Sequence, residues 1–207
     1  MIAKAKAISH GINDIRYITG ESHNKKHPEK IYRVLDNMIP SEPDAMGVWN
    51  SMQLTLSRFR PVKNSVIRIE LSPSSEHTKD FTIEDWQKLW QDFSTEFDKQ
   101  VFKDKDGKIR NCPTNLANSK YTVWLHMESN SGVPHLHAAV CRMDEDGQIN
   151  NDHNIHLRAQ WAAERVAKKR GWATAKQVRN VNIPLVTRDC MNVLKSMSSW
   201  SWDEYKA

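Results

Sequence analysis

Two short stretches decide the fold: Tyr121-Thr-Val-Trp-Leu-His-Met-Glu128 and Pro134-His-Leu-His-Ala-Ala-Val-Cys141, joined by Ser129-Asn-Ser-Gly-Val133. Both are rich in apolar, β-branched and aromatic residues, and the polar, glycine-containing connector reads as the loop of a hairpin. With the turn centred between Asn130 and Ser131, His126 faces His135 and Trp124 faces His137. Residues i and i+2 share a face of a strand, and directly opposed residues do too. His126, His135 and His137 therefore point the same way. The opposite face carries Val123, Leu125 and Met127 against Leu136, Ala138 and Val140, and it reads as core. A slip by one residue would exchange the two sets, so the register is self-consistent.

Three imidazoles within a few ångströms of one another would repel if protonated. As neutral ligands on one face of a metal ion they are well matched, and they leave positions open for water or substrate. A metal-bound histidine gives its other N–H to a carboxylate or carbonyl. Glu128, on the face of His126, and Glu70, on the polar face of another strand, are candidate partners. The donor set alone leaves the reaction open. A zinc hydrolase, a non-haem iron oxygenase (which usually adds a carboxylate ligand) and a phosphodiester enzyme all fit. The last needs a nucleophile, which turns attention to Tyr17.

Outward from the hairpin, a strand is predicted over 2–8, with Lys4 and Lys6 on one face, and a helix over 12–19 stopped by Gly20. The polar stretch 21–30 reads as a loop. Ser41-Glu-Pro-Asp44 opens a helix to about residue 59, with Ala45, Trp49, Met52, Leu56 and Phe59 at helical spacing. Over 65–72 a strand sets Ile67, Ile69 and Leu71 on one face and Val66, Arg68, Glu70 and Ser72 on a mostly polar other. Thr82-Ile-Glu-Asp85 reads as a capping box before a helix with Ile83, Trp86, Trp90, Phe93 and Phe97 on one core stripe. A turn is expected around Asp106-Gly107 and another at Asp144-Glu-Asp-Gly147. Asn151-Asp-His-Asn154 caps a helix over about 152–170 ended by Gly171, and a shorter helix is predicted over 186–198. This order predicts an α+β fold: a central antiparallel sheet, its histidine face open to a cleft, with helices packed behind it. Residues 1–207 are read as a single domain.

Composition narrows the class. Thirty Lys and Arg against 25 Asp and Glu give a net charge of +5, which suits nucleic-acid binding without establishing it. Seven glycines and eight prolines in 207 residues exclude collagen-like and low-complexity chains. No apolar run approaches the roughly 18 residues of a membrane span, so no membrane insertion is expected. The first eight residues lack a signal peptide's apolar region. Cys112, Cys141 and Cys190 are odd in number and far apart, so the expectation is a reducing, cytoplasmic setting rather than a disulfide framework.

Together these motifs resemble the DNA relaxases of plasmid mobilisation and conjugation, of the MobA/VirD type within the HUH endonuclease superfamily. Three parts match in order, over residues 1 to about 200. The first is a strand and a helix carrying a tyrosine, Ala-Ile-Ser-His-Gly-Ile-Asn-Asp-Ile-Arg-Tyr17-Ile-Thr. The second is a strand ending in a serine, Ile-Arg-Ile-Glu-Leu-Ser72-Pro. The third and most specific is His126-Met-Glu-Ser-Asn-Ser-Gly-Val-Pro-His135-Leu-His137.

The resemblance implies nicking and rejoining of single-stranded DNA at a transfer origin, with Tyr17 attacking a scissile phosphate to form a 5′-phosphotyrosine. It implies a divalent metal on His126, His135 and His137, Mg²⁺ or Mn²⁺, although imidazoles should hold Mn²⁺, Ni²⁺ or Zn²⁺ more tightly than Mg²⁺. Ser72 would contact DNA. It further implies accessory mobilisation proteins, a coupling protein, and a nuclease region that can be the N-terminal part of a longer protein. Arg16, Lys25 and Lys26 are candidate phosphate contacts, as are Lys30, Arg165, Lys168, Lys169 and Arg170. Tyrosine ionises near pH 10 and needs help at neutral pH. His10 is a candidate aid and, because some relaxases use histidine, a rival nucleophile; Tyr32 is a second rival. Three other readings stand beside this one: a rolling-circle replication initiator of the same superfamily, disfavoured because Tyr17 precedes the His-x-His motif, a three-histidine metalloenzyme acting on a small molecule, and a non-catalytic DNA-binding protein with an incidental metal site, which would bind without nicking.

Overall fold

The computed structural model describes residues 1–22, 27–40, 44–127 and 132–180. In chain order the elements are β1 (Ile2–Ile8), α1 (Gly11–Thr19), β2 (Ile31–Asn37), α2 (Ala45–Arg58), β3 (Val66–Ser72), α3 (Ile83–Asp98), β4 (Phe102–Lys103), β5 (Ile109–Arg110), β6 (Ser119–His126), β7 (His135–Asp144) and α4 (Ile155–Lys169). Five strands form one antiparallel sheet in the order β1-β3-β7-β6-β2, and β4 and β5 make a separate hairpin. The fold is α+β. These elements belong to one compact unit, Met1–Trp172. In a second unit, Ala173–Ala207, residues 175–180 are helical, and Thr174 Oγ1 accepts a hydrogen bond from the Gln177 backbone N–H at 3.2 Å. The helix predicted over 186–198 lies outside the described residues.

The hairpin register is the one the pattern predicts: His126 opposes His135, Trp124 opposes His137, and Leu125 opposes Leu136. The back face packs against α3 and α4. There Val123, Leu136, Ala138 and Val140 meet Trp86, Trp90 and Phe93 of α3, while Ala3 and Ala5 of β1 join Ala159, Ala162 and Ala163 of α4 in the same core. The capping box forms, with Thr82 Oγ1 accepting from the Asp85 N–H and the Asp85 carboxylate accepting from the Thr82 N–H. Two residues leave the expected core. Met127 lies just past β6 and is 44% exposed, and Ile83 sits in the first turn of α3 facing solvent.

Two features differ from the sequence reading. The helices do not all lie behind the sheet: α1 and α2 cover part of the histidine face. Their residues Ile15, Ile18, Val48, Met52 and Leu56 form a second core with Ala139, Cys141 and Met143 of β7, which lie on the same side of that strand as His135 and His137. The second is β2, which the pattern does not announce. It is an edge strand with one neighbour, and its pairing with β6 shifts between Arg33 and Leu35. That bulge breaks the period-two alternation by which a strand is read.

Gly11 sets how closely α1 approaches the sheet. A Cβ here would collide with the Trp49 ring of α2 and lie 2.8 Å from Val66 Cγ2 of β3. Only a residue without a side chain lets the first turn of α1 sit on both. Gly11→Ala is therefore expected to cost about 1–3 kcal/mol through overpacking, read as a lower urea midpoint with unchanged slope. An unchanged midpoint would show that α1 is not tightly seated.

Candidate active site

The three histidines converge as their register requires. His126 ends β6, while His135 and His137 begin β7. Ring centroids are 4.3 Å apart for His126–His137, 4.8 Å for His135–His137 and 5.7 Å for His126–His135. Each ring offers one nitrogen, and these nitrogens all lie within 4.8 Å of one another. His126 and His137 are 1% and 3% exposed, and His135 is partly open. Main-chain carbonyls orient two of the rings. His126 Nε2 lies 2.8 Å from the Ile18 oxygen, and His135 Nδ1 lies 3.0 Å from the Val133 oxygen. A carbonyl only accepts, so each of these nitrogens carries the proton and the other ring nitrogen keeps its lone pair. This is the outer-shell arrangement that metal-binding histidines use. The donor set suits a divalent first-row transition ion better than a hard, all-oxygen ion.

Helix α1 supplies the rest. It packs on β7, β6 and β2, and Gly20, in the left-handed conformation, ends it. The last carbonyls of a helix have no partner within it. Here the Arg16 oxygen accepts from the Ser22 N–H, the Tyr17 oxygen from the Gly20 N–H, and the Ile18 oxygen from His126. The end of α1 is therefore fastened to the triad, and Tyr17 is carried with it. The Tyr17 ring centroid lies 5.8 Å from that of His126 and 5.5 Å from that of His137, nearly edge-on to the latter. At 39% exposure it also reaches solvent.

Beside Tyr17 opens a groove of about 720 Å³ lined by His10, Asn13, Asp14, Arg16, Tyr17 and Arg68, among others. Arg68, on β3, donates to Asp14 of α1 at 3.0 Å and pairs with Glu70 at 2.9 Å. Burial raises the Asp14 carboxyl above its ordinary range, against the hydrogen bond and charge of Arg68. Burial alone would lower Arg68, but the hydrogen bond and charge of Asp14, then Glu70, outweigh it and push the guanidinium upward. Arg68 stays charged and ties the tyrosine helix to the strand beside His137.

The other sequence candidates separate clearly. His10 is the exposed N-cap residue of α1 and shares the groove with Tyr17 and Arg16. Glu70 directly opposes His137 across β3 and β7, but its carboxylate is taken by Arg68. Ser72 ends β3, partly exposed. Tyr32 opposes Leu125, so it stands on the face away from the histidines, which removes it as a rival nucleophile for this site. Lys25, Lys26 and Glu128 lie outside the described residues. The cations of α4 and its end belong to the far side of the sheet and are paired: Lys169 and Arg165 with Glu96, Lys168 with Glu164, and Arg170 with Asp92. They do not approach Tyr17. Sequence reasoning missed Asp14, Arg68 as a bridge, and the two carbonyls. The polar alternation of β3 and the spacing of Asp14 three residues before Tyr17 were the available signals.

If the triad holds one divalent ion, His126→Ala, His135→Ala and His137→Ala should each lower Mn²⁺ affinity at least about tenfold in calorimetric titration. Retained affinity in any one of them would remove that residue from the ligand set.

No protein-family model matches this chain, and no curated protein matches it in sequence. Solved structures do resemble it. The MobM relaxase domain, crystallised with Mn and bound to plasmid oriT DNA, superposes with a TM-score of 0.53 at 13% identity, covering 83% of this chain and 87% of that one. The conjugative relaxase TrwC, in a metal-bound complex with oriT DNA, gives 0.44 at 12% identity, covering 83% and 71%. The chain thus has the fold of the MobM relaxase domain.

Proposed function

We propose that this protein is a metal-dependent DNA strand transferase that nicks and rejoins single-stranded DNA at a transfer origin. One observation carries the reading: Tyr17 lies against two of three convergent histidines on a relaxase-type fold. The Tyr17 oxygen attacks phosphorus as its proton leaves. The bond from phosphorus to the 3′-oxygen breaks, and that oxygen takes up a proton. The products are a 5′-phosphotyrosine and a free 3′-hydroxyl, and reversal rejoins the strand. His126, His135 and His137 would hold a divalent ion, Mg²⁺ or Mn²⁺ in function, and that ion would supply positive charge for the phosphate oxygens.

The protein's own groups do the remaining work. The Ile18 and Val133 carbonyls fix two imidazoles in the tautomers that leave lone pairs for the ion. Arg68 fixes the helix that carries Tyr17 and adds positive charge to the groove. Arg16 lines the same groove and can meet phosphate, and Ser72 would contact DNA near the cut. His10 lines the same groove as Tyr17 and is the remaining candidate to assist it. In the cell the reaction would initiate mobilisation of a plasmid or integrative element in the cytoplasm, with accessory proteins and a coupling protein. Among the described residues, no helix is long and apolar enough to cross a membrane.

The test is covalent trapping. Protein, Mn²⁺ or Mg²⁺ and single-stranded DNA from the gene's own neighbourhood are incubated, denatured in detergent and resolved. An adduct is expected in the wild type and in neither Tyr17→Phe nor His135→Ala. An adduct that survives Tyr17→Phe would move the nucleophile, with His10 next. Metal binding without an adduct on any local DNA would overturn the reading in favour of a small-molecule metalloenzyme.

A further inference from the structure

Helices α1 and α2 cover only part of the histidine face. The pairings Lys4↔Glu70↔His137 and Lys6↔Arg68↔Ala139 run from β1 through β3 to β7. Directly opposed residues share a face, so Lys4 and Lys6 stand on the same side of the sheet as the triad. Both are exposed, as is Ile2 of the same row, and Arg68 and Glu70 are partly exposed. The other face of β1 is closed: Ala3 and Ala5 are buried in the core that includes α4. Among the described residues, the half of the histidine face beyond Tyr17 is therefore an uncovered strip of sheet bearing cations.

Charge bookkeeping decides what this strip can hold. Its nearest acids, Asp14 and Glu70, are both bonded to Arg68. Among the described residues, neither lysine ammonium has a hydrogen-bond or ion-pair partner. Lysines at i and i+2 stand side by side, about 7 Å apart along a strand. Arg68 carries one positive charge against Asp14 and Glu70, so with Lys4 and Lys6 the strip keeps a net charge of about +1. It is carried by two exposed ammonium groups side by side, which fit a polyanion with regularly spaced charges.

We infer that Lys4 and Lys6 of β1, with Arg68 at the inner end, form a track for the sugar–phosphate backbone of the single strand flanking the scissile bond. This rests on the strand-transfer reading and adds a binding surface to it. Lysines meeting phosphates position a strand and read no sequence. The track therefore anchors the strand on one side of Tyr17 and leaves nick-site choice to other residues. An edge strand can also carry lysines merely to block pairing with another sheet, and the test separates the two roles.

The experiment measures binding of fluorescent oligothymidylate across a salt series. The wild type is compared with Lys4→Gln/Lys6→Gln and with Lys103→Gln/Lys105→Gln, an equal loss of exposed charge on the β4–β5 hairpin. Circular dichroism confirms that all three fold alike. For the β1 pair, the slope of log affinity against log salt should become shallower by about 1.4, from roughly 0.7 per phosphate contact; for the hairpin pair it should not change. An unchanged slope for the β1 pair, or an equal change for both pairs, overturns the track. Adduct formation by the wild type on local DNA is scored separately, so failure of the transferase reading is seen independently of the salt slope.

Discussion

One hydrogen bond, from His126 Nε2 to the main-chain oxygen of Ile18, couples the two halves of the site. It uses a carbonyl that the end of a helix cannot satisfy internally, and it fixes the orientation of the His126 imidazole. The same residue pair joins β6 to α1, whose Tyr17 is the neighbour of Ile18. Moving the helix end would disturb the triad, and rotating the His126 ring would unseat the helix. The negative end of the helix dipole also faces the triad, which favours a cation there. Close approach at Gly11 and the Arg68 bridge to Asp14 hold the rest of the helix in place.

The sheet divides its labour by face. The back of the hairpin joins the larger core under α3 and α4 and supplies most of the apolar burial. The front is only partly covered. A second, smaller core under α1 and α2 closes one part, and a polar strip along β1 and β3 stays open. This arrangement buries polar groups that a stability-driven design would avoid. Asp14 is the plainest case, since its burial opposes the charged form even with Arg68 beside it. Local cost at the groove is set against the strong core behind it.

Much of the site was legible because strand geometry is simple. A period of two and one turn centre were enough to put His126, His135 and His137 on one face with Leu125 and Leu136 on the other. The capping box before α3 was equally local. What stayed hidden depends on tertiary placement. The spacing of Ile15 and Ile18 says that α1 packs against something, but not on which face of the sheet. Asp14 and Arg68 are 54 positions apart, and neither alone announces a partner. The groups that orient His126 and His135 are backbone carbonyls, which carry no residue signature, so side-chain reasoning pointed to carboxylates instead. Strand β2 was lost to a bulge that breaks its alternation.

The proposed function requires α1 to deliver Tyr17 to a metal held by these three histidines. A crystal structure of the Mn²⁺-loaded protein, with the ion located by its anomalous signal, tests this most directly. One peak is expected, bonded to a nitrogen of each of His126, His135 and His137, with the Tyr17 side chain on the open side of the ion. A principal peak elsewhere, or an ion on the triad with Tyr17 turned away from it, would rule out Tyr17 as the nucleophile of a three-histidine metal site.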